Sequence, residues 1–167
     1  MLVLLNGPPG VGKSTMAGLY VDDHPPALNL DIDVLRGQIG GWQADPARAG
    51  LLARALAVAA ARTHLLAGHD VVVPQFLGRP EFVLELSALA AEVGTEFVEV
   101  VLLDIKENVR RRFFERNDPV KHTDAATLST MYDRLLELLA ARPDARIVHA
   151  AGIPETYAAL RHALAPL

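Results

Sequence analysis

Short apolar runs recur along this chain, separated by longer stretches with helical spacing. Residues 2–6, LVLLN, are continuously apolar up to a Gly-Pro break, which predicts a buried strand. Residues 13–22 predict a helix, and 27–31, ALNLD, a second short strand after the Pro25-Pro26 break. DVLRGQIGG predicts one or two helical turns ended by Gly40-Gly41, and the Ala-, Leu- and Arg-rich segment 46–66 predicts a long helix. A third strand is expected at 70–73, then a helix with Pro80 near its first turn and Gly94 past its end. EFVEVVLLD predicts a fourth strand and IKENVRRRFFERN a helix. DPVKHTD reads as a loop, and Asp124 is placed to cap a helix of about 125–141. ARIVHAAG predicts a fifth strand and IPETYAALRHAL the last helix.

Strands thus alternate with helices five times. That order predicts an α/β fold: a parallel sheet, right-handed crossovers and helices on both faces. Ligands of such sheets sit at the carboxyl ends of strands. The informative segments should therefore be 7–15, 31–36, 74–79 and the region after Asp104. No repeat, low-complexity segment or linker divides the chain, so residues 1–167 are read as a single domain.

Composition narrows the class. At 51% apolar residues the chain can build a core, and no apolar run of about 18 residues predicts a membrane span. The first residues run straight into the glycine motif without a basic stretch or cleavage site, and are read as a strand, not a leader. Cysteine is absent, which excludes disulfides and thiolate metal sites and fits a cytoplasmic protein. The net charge of −4 argues against long nucleic acid as a partner, because backbone binding recruits many cations. Arg110, Arg111, Arg112 and Arg116 nevertheless cluster and can meet phosphate locally.

The sharpest motif is Gly7-Pro8-Pro9-Gly10-Val11-Gly12-Lys13-Ser14-Thr15, which satisfies G-x-x-x-x-G-K-[ST] between a strand and a helix. Its glycines let backbone N–H groups approach phosphate, and the helix offers its positive end. Lys13 is expected at the β- and γ-phosphates of ATP, and Ser14 on Mg²⁺. A cradle defines nucleotide binding, not a reaction. No guanine-reading N-K-x-D or T-K-x-D segment is present, and no strand ends in the Asp-Glu pair of a hydrolytic motor.

DIDVLR adds chemistry after strand two. Asp33 and Arg36 are three apart at a helix start and share a face. Phosphoryl transfer to a hydroxyl needs a base, and Asp33 is the candidate. Asp31 is read as a ligand of metal or water, or as the helix cap. Arg36 could anchor an anionic or polar part of the acceptor. Arg112 and Arg116, four apart on one helical face, could close over the migrating phosphoryl group, while Arg110 and Arg111 point elsewhere. A lid is expected at about 117–124, where closure would exclude water.

GPPGVGKST, DIDVLR and NVRRRFFERN together resemble the small P-loop kinases, in particular the polynucleotide 5′-kinase domain and chloramphenicol phosphotransferase. Shikimate and gluconate kinases are similar at greater distance. The resemblance implies a three-layer P-loop fold with strand order 2-3-1-4-5 and a mobile lid. It implies that Asp33 is the base, that Arg36 contacts the acceptor, and that Arg112 and Arg116 contact ATP phosphates.

One segment departs from that pattern. Such kinases commonly carry Asp after strand three, where this chain has Gln75. Glutamine is a weak Mg²⁺ ligand but can hydrogen-bond a hydroxyl, water or base edge. The Mg²⁺ shell then rests on Ser14, Asp31 and water, and Gln75, Phe76 and Arg79 become acceptor-pocket candidates, with Trp42 as a ring that could stack. The expected function is transfer of the γ-phosphoryl group of ATP to a hydroxyl of a small-molecule or nucleotide-type acceptor. The alternatives are a nucleotide-binding regulatory protein and a simple NTP hydrolase.

Overall fold

The computed structural model describes residues 1–115 and 123–165. The strands are β1 (Leu2–Asn6), β2 (Leu28–Asn29), β3 (Val71–Pro74), β4 (Phe97–Leu103) and β5 (Arg146–His149). The helices are α1 (Lys13–Asp23), α2 (Ile32–Gly37), α3 (Pro46–Leu66), α4 (Glu81–Glu92), α5 (Lys106–Glu115), α6 (Ala125–Ala140) and α7 (Ile153–Leu164). All pairings are parallel, in the order β2-β3-β1-β4-β5. This is the three-layer fold and strand order expected.

The sheet explains the unbroken apolar runs. Leu2 and Leu4 of β1, with Val71 and Val73 of β3, face the layer that carries α3 and α4. The alternate residues Val3, Leu5 and Val72 face α1 and α7. Every one of these positions is fully buried, so neither face of β1 or β3 is open to solvent at them. On α3 the buried stripe is Ala53, Ala57, Ala61 and Leu65, four apart, and small side chains let the helix lie close to its neighbours. Among the described residues α3 is the one helix long and apolar enough to cross a membrane. That stripe is in the core, Arg48, Arg54 and Arg62 lie along the same helix, and Leu51, Leu52 and Leu56 are exposed on its other side.

The strands differ from expectation at their ends. β2 is only two residues long, although Leu30 N–H still donates to Val72 O at 2.8 Å. The chain then leaves the sheet because Asp31 is taken up in capping α2. β3 includes Pro74, which has no N–H to give. Val71 and Gln75 donate towards β1, so residue 74 faces the β2 side, where β2 has already ended. Asp124 caps α6 as expected, its carboxylate accepting from Thr127 N–H at 2.7 Å. Arg116 and residues 117–122 of the expected lid lie outside the described residues.

Candidate active site

The cradle is built on unusual backbone. Gly7, Gly10 and Gly12 have φ of 145°, 89° and 110°, a region L-residues avoid. At Gly7 a Cβ would also stand 2.5 Å from the carbonyl oxygen of Leu102, so β4 runs against the loop's start. At Gly10 it would meet Phe113 N and Val109 O at 3.1 Å, so α5 packs against the loop's tip. Lys13 Nζ donates to the carbonyls of Gly7 (2.8 Å) and Pro8 (3.0 Å), folding the ammonium back over the loop. Gly12 stands at the N-cap of α1 without a side-chain cap. The first N–H groups of that helix are thus directed at whatever the loop encloses. Val11 is a different kind of member: it is buried in the core against α1 and β4 and supports the loop from beneath.

Asn6 was not among the candidate residues, yet it holds this region together. It is completely buried. Its Oδ1 accepts from Gly7 N–H at 2.8 Å and from Leu77 N–H at 2.9 Å, while its Nδ2 donates to Leu77 O at 3.1 Å. One amide side chain thus ties the start of the cradle to the segment after β3. A polar residue closing an otherwise apolar core strand was the available signal.

Asp31 is the helix cap, and it uses both carboxylate oxygens. Oδ1 caps α2, accepting from Asp33 N–H at 3.0 Å and Val34 N–H at 3.4 Å. Oδ2 accepts from Ser14 Oγ at 3.0 Å. A hydroxyl and a carboxylate oxygen side by side are hard donors of the kind Mg²⁺ uses with one or two protein ligands, water and substrate phosphates. The two residues therefore fit a magnesium ion. Among the described residues no group of three His, Asp or Glu side chains forms a fuller metal cage.

Asp33 and Arg36 face the same space as an ion pair at 3.2 Å, one helical turn apart on α2. The Arg36 guanidinium also lies 5.2 Å from the centre of the Trp42 ring. Lys13, Ser14, Asp31, Asp33, Arg36, Trp42 and Gln75 all line one cavity of about 560 Å³ at the carboxyl edge of the sheet, with Phe113 and Thr123 closing it from the α5–α6 side. The cradle, the carboxylates and the acceptor candidates Arg36, Trp42, Gln75 and Phe76 thus meet in one place, while Arg79 lines a neighbouring cavity instead.

Arg112 does not line that cavity. Its guanidinium is paired with the carboxylate of Asp104, just after β4. Burial pulls the Asp104 carboxyl upward, but bonds from Asn108, the Ile105 N–H and Arg112 together hold it below the ordinary aspartate range. An arginine following a strand-end aspartate on the next helix has two partners within reach, and sequence spacing does not choose between them.

Comparison with known proteins places this architecture. A protein from Chloroflexus aurantiacus J-10-fl is similar with a TM-score of 0.71 at 15% identity, over 98% of this chain and 98% of its own. A gluconokinase from Sinorhizobium meliloti 1021 is similar with a TM-score of 0.63 at 18% identity, over 96% of this chain and 91% of its own. The tunicamycin resistance protein of Deinococcus radiodurans gives 0.62 at 17% identity, with coverage of 96% and 91%. At such identities the likeness speaks for the fold. None of the curated protein sequences compared with the chain matches it. A family model does, the one described as AAA domain, across residues 2–139. The chain therefore belongs to the AAA domain family, in the group that shares the P-loop kinase fold.

Proposed function

We propose that the protein is an ATP-dependent phosphotransferase that moves the γ-phosphoryl group to a hydroxyl of a small-molecule or nucleotide-type acceptor. The observation that carries this reading is the shared cavity: the cradle lysine, the Ser14–Asp31 pair and the Asp33–Arg36 pair open into one space of about 560 Å³. A carboxylate held by an arginine, with a tryptophan beside it, supplies a base and an anchor for an acceptor hydroxyl next to the cradle.

The step is an in-line displacement. The acceptor oxygen forms a bond to the γ-phosphorus as the bond from that phosphorus to the β,γ-bridging oxygen breaks, and ADP leaves with that electron pair. Asp33 takes the hydroxyl proton. Lys13 meets the β- and γ-oxygens by exchanging its bonds to the Gly7 and Pro8 carbonyls for bonds to phosphate. Ser14 and Asp31 would hold Mg²⁺, which when bound neutralises phosphate charge. Arg36 orients Asp33 and the acceptor together. Arg112 reaches the phosphates only by parting from Asp104, and Arg116 is assigned beside it from the sequence pattern.

The test is single-turnover transfer from labelled ATP across a panel of hydroxyl acceptors. Asp33→Asn should lower transfer roughly 10²- to 10⁴-fold while ATP affinity holds. Wild-type turnover in that variant rejects Asp33 as base. Phosphate release that no acceptor accelerates rejects the transferase in favour of a hydrolase, and ATP binding without any turnover favours a regulatory nucleotide-binding protein.

A further inference from the structure

A second cavity, of about 510 Å³, lies beyond the first, and Gln75, Phe76 and Met131 line both. Three arginines from three different segments line it: Arg54 of α3, which is half-buried, and Arg79 of the β3–α4 loop and Arg134 of α6, which are exposed. Two of them are packed in place. The Arg54 guanidinium lies 5.3 Å from the centre of the ring of Phe82, which is buried. Arg134 approaches the β3–α4 loop so closely that a Cβ on Gly78 would stand 3.3 Å from its own Cβ. Glu81, in the first turn of α4, is the carboxylate on the same wall. Among the described residues none of the three arginines is in an ion pair.

Three guanidinium groups against one carboxylate is a local excess of positive charge on a chain whose net charge is −4. Like charges around one concave wall repel more strongly than in open water, and an anion there relieves that repulsion. Arginines lining one cavity suit such an anion, because the planar guanidinium matches carboxylate and phosphate oxygens two at a time.

We infer that this arginine cavity binds an anionic group of the phosphoryl acceptor, a carboxylate or a phosphate, at the end remote from the hydroxyl that is phosphorylated. The inference rests on the phosphotransferase reading and narrows its substrate class: an acceptor whose hydroxyl lies at Asp33 passes Gln75 and Phe76 and ends among Arg54, Arg79 and Arg134. Neutral alcohols leave the three cations uncompensated and are discriminated against.

Calorimetric titration tests it on the full chain saturated with Mg²⁺ and a non-hydrolysable ATP analogue, so that the cradle is occupied. Inorganic phosphate is the probe in one arm and malonate in the other, and the arm that binds tells a phosphorylated from a carboxylated acceptor. Saturable binding in either arm, weakened about tenfold or more in Arg54→Gln/Arg134→Gln, is expected from the loss of two charge-assisted contacts. Glu81→Gln should move the affinity the other way, tightening it roughly two- to fivefold by removing the competing charge, an effect a damaged fold does not produce. Absence of saturable binding in both arms, or the same affinity in the double variant, overturns the inference. Failure of the ATP analogue to bind instead sinks the phosphotransferase reading, and the dependence of anion binding on Arg54 and Arg134 is then read by itself.

Discussion

At the scale of single residues, the site depends on two that touch no phosphate oxygen by side-chain chemistry. Asn6 satisfies three buried backbone groups, Gly7 N–H and both polar groups of Leu77. Asn6→Leu keeps the branched heavy-atom skeleton, though it is larger, and strands all three, at about 1–3 kcal/mol for each buried polar group left unpaired. Urea unfolding should therefore show a loss of at least about 3 kcal/mol; wild-type stability would mean that water replaces the amide. Gly7 is the second. Gly7→Ala puts a methyl 2.5 Å from a backbone carbonyl at a φ of 145°, and neither the loop nor β4 has a flexible side chain to yield. Nucleotide affinity and melting temperature should both fall, and a variant that binds the ATP analogue normally would refute the close approach. The glycine was legible from the motif. The asparagine was not, because its role lies in Leu77, a residue 71 positions away.

At the scale of elements, α2 is a short helix with one strong cap, and that cap is also half of the candidate metal pair. The two roles can be separated chemically. Asparagine caps helices about as well as aspartate but carries no charge for a cation. Asp31→Asn should keep the melting temperature near wild type while raising the Mg²⁺ concentration needed for half-maximal transfer. Asp31→Ala should lose both, with about 0.5–2 kcal/mol of stability gone with the cap. Equal Mg²⁺ dependence in wild type and Asp31→Asn would leave Asp31 a cap and nothing more. The sequence predicted every helix and strand here by type, since apolar runs and caps are local signals. It misjudged the ends of β2, β3 and β5, which are settled by where a neighbouring strand stops offering partners.

At the scale of the whole molecule, one linkage between charge and stability lies at the carboxyl edge, at Asp104. Asp104 is held below its ordinary range when folded. A depressed folded pKa contributes stability that is present above the unfolded value, near pH 4, and is lost as pH falls through the folded value. Asp104→Asn should therefore lower unfolding free energy at pH 7 and change it little at pH 2, which acid-series denaturation measures. Equal destabilisation at both pH values would show that packing, not charge, is at work there. The Asp104–Arg112 pair also bears on the mechanism, since an Arg112 turned wholly towards phosphate would give up this contact.

What the sequence determined by itself was the phosphate-cradle motif and the fold around it. A phosphate cradle is one contiguous segment whose geometry depends on its own glycines, and a parallel sheet announces itself by apolar runs separated by helices. The set of arginines around the second cavity was decided by tertiary structure. Arg79 was a candidate from its place after strand three, but Arg54 and Arg134 are on two helices far apart in the chain, and packing against Phe82 and Gly78 brings them to the same cavity. Arg112 shows the converse: its spacing fitted a phosphate contact, and the folded chain offered it Asp104. Charges act through space, so their partners are chosen by the fold and not by the order of residues.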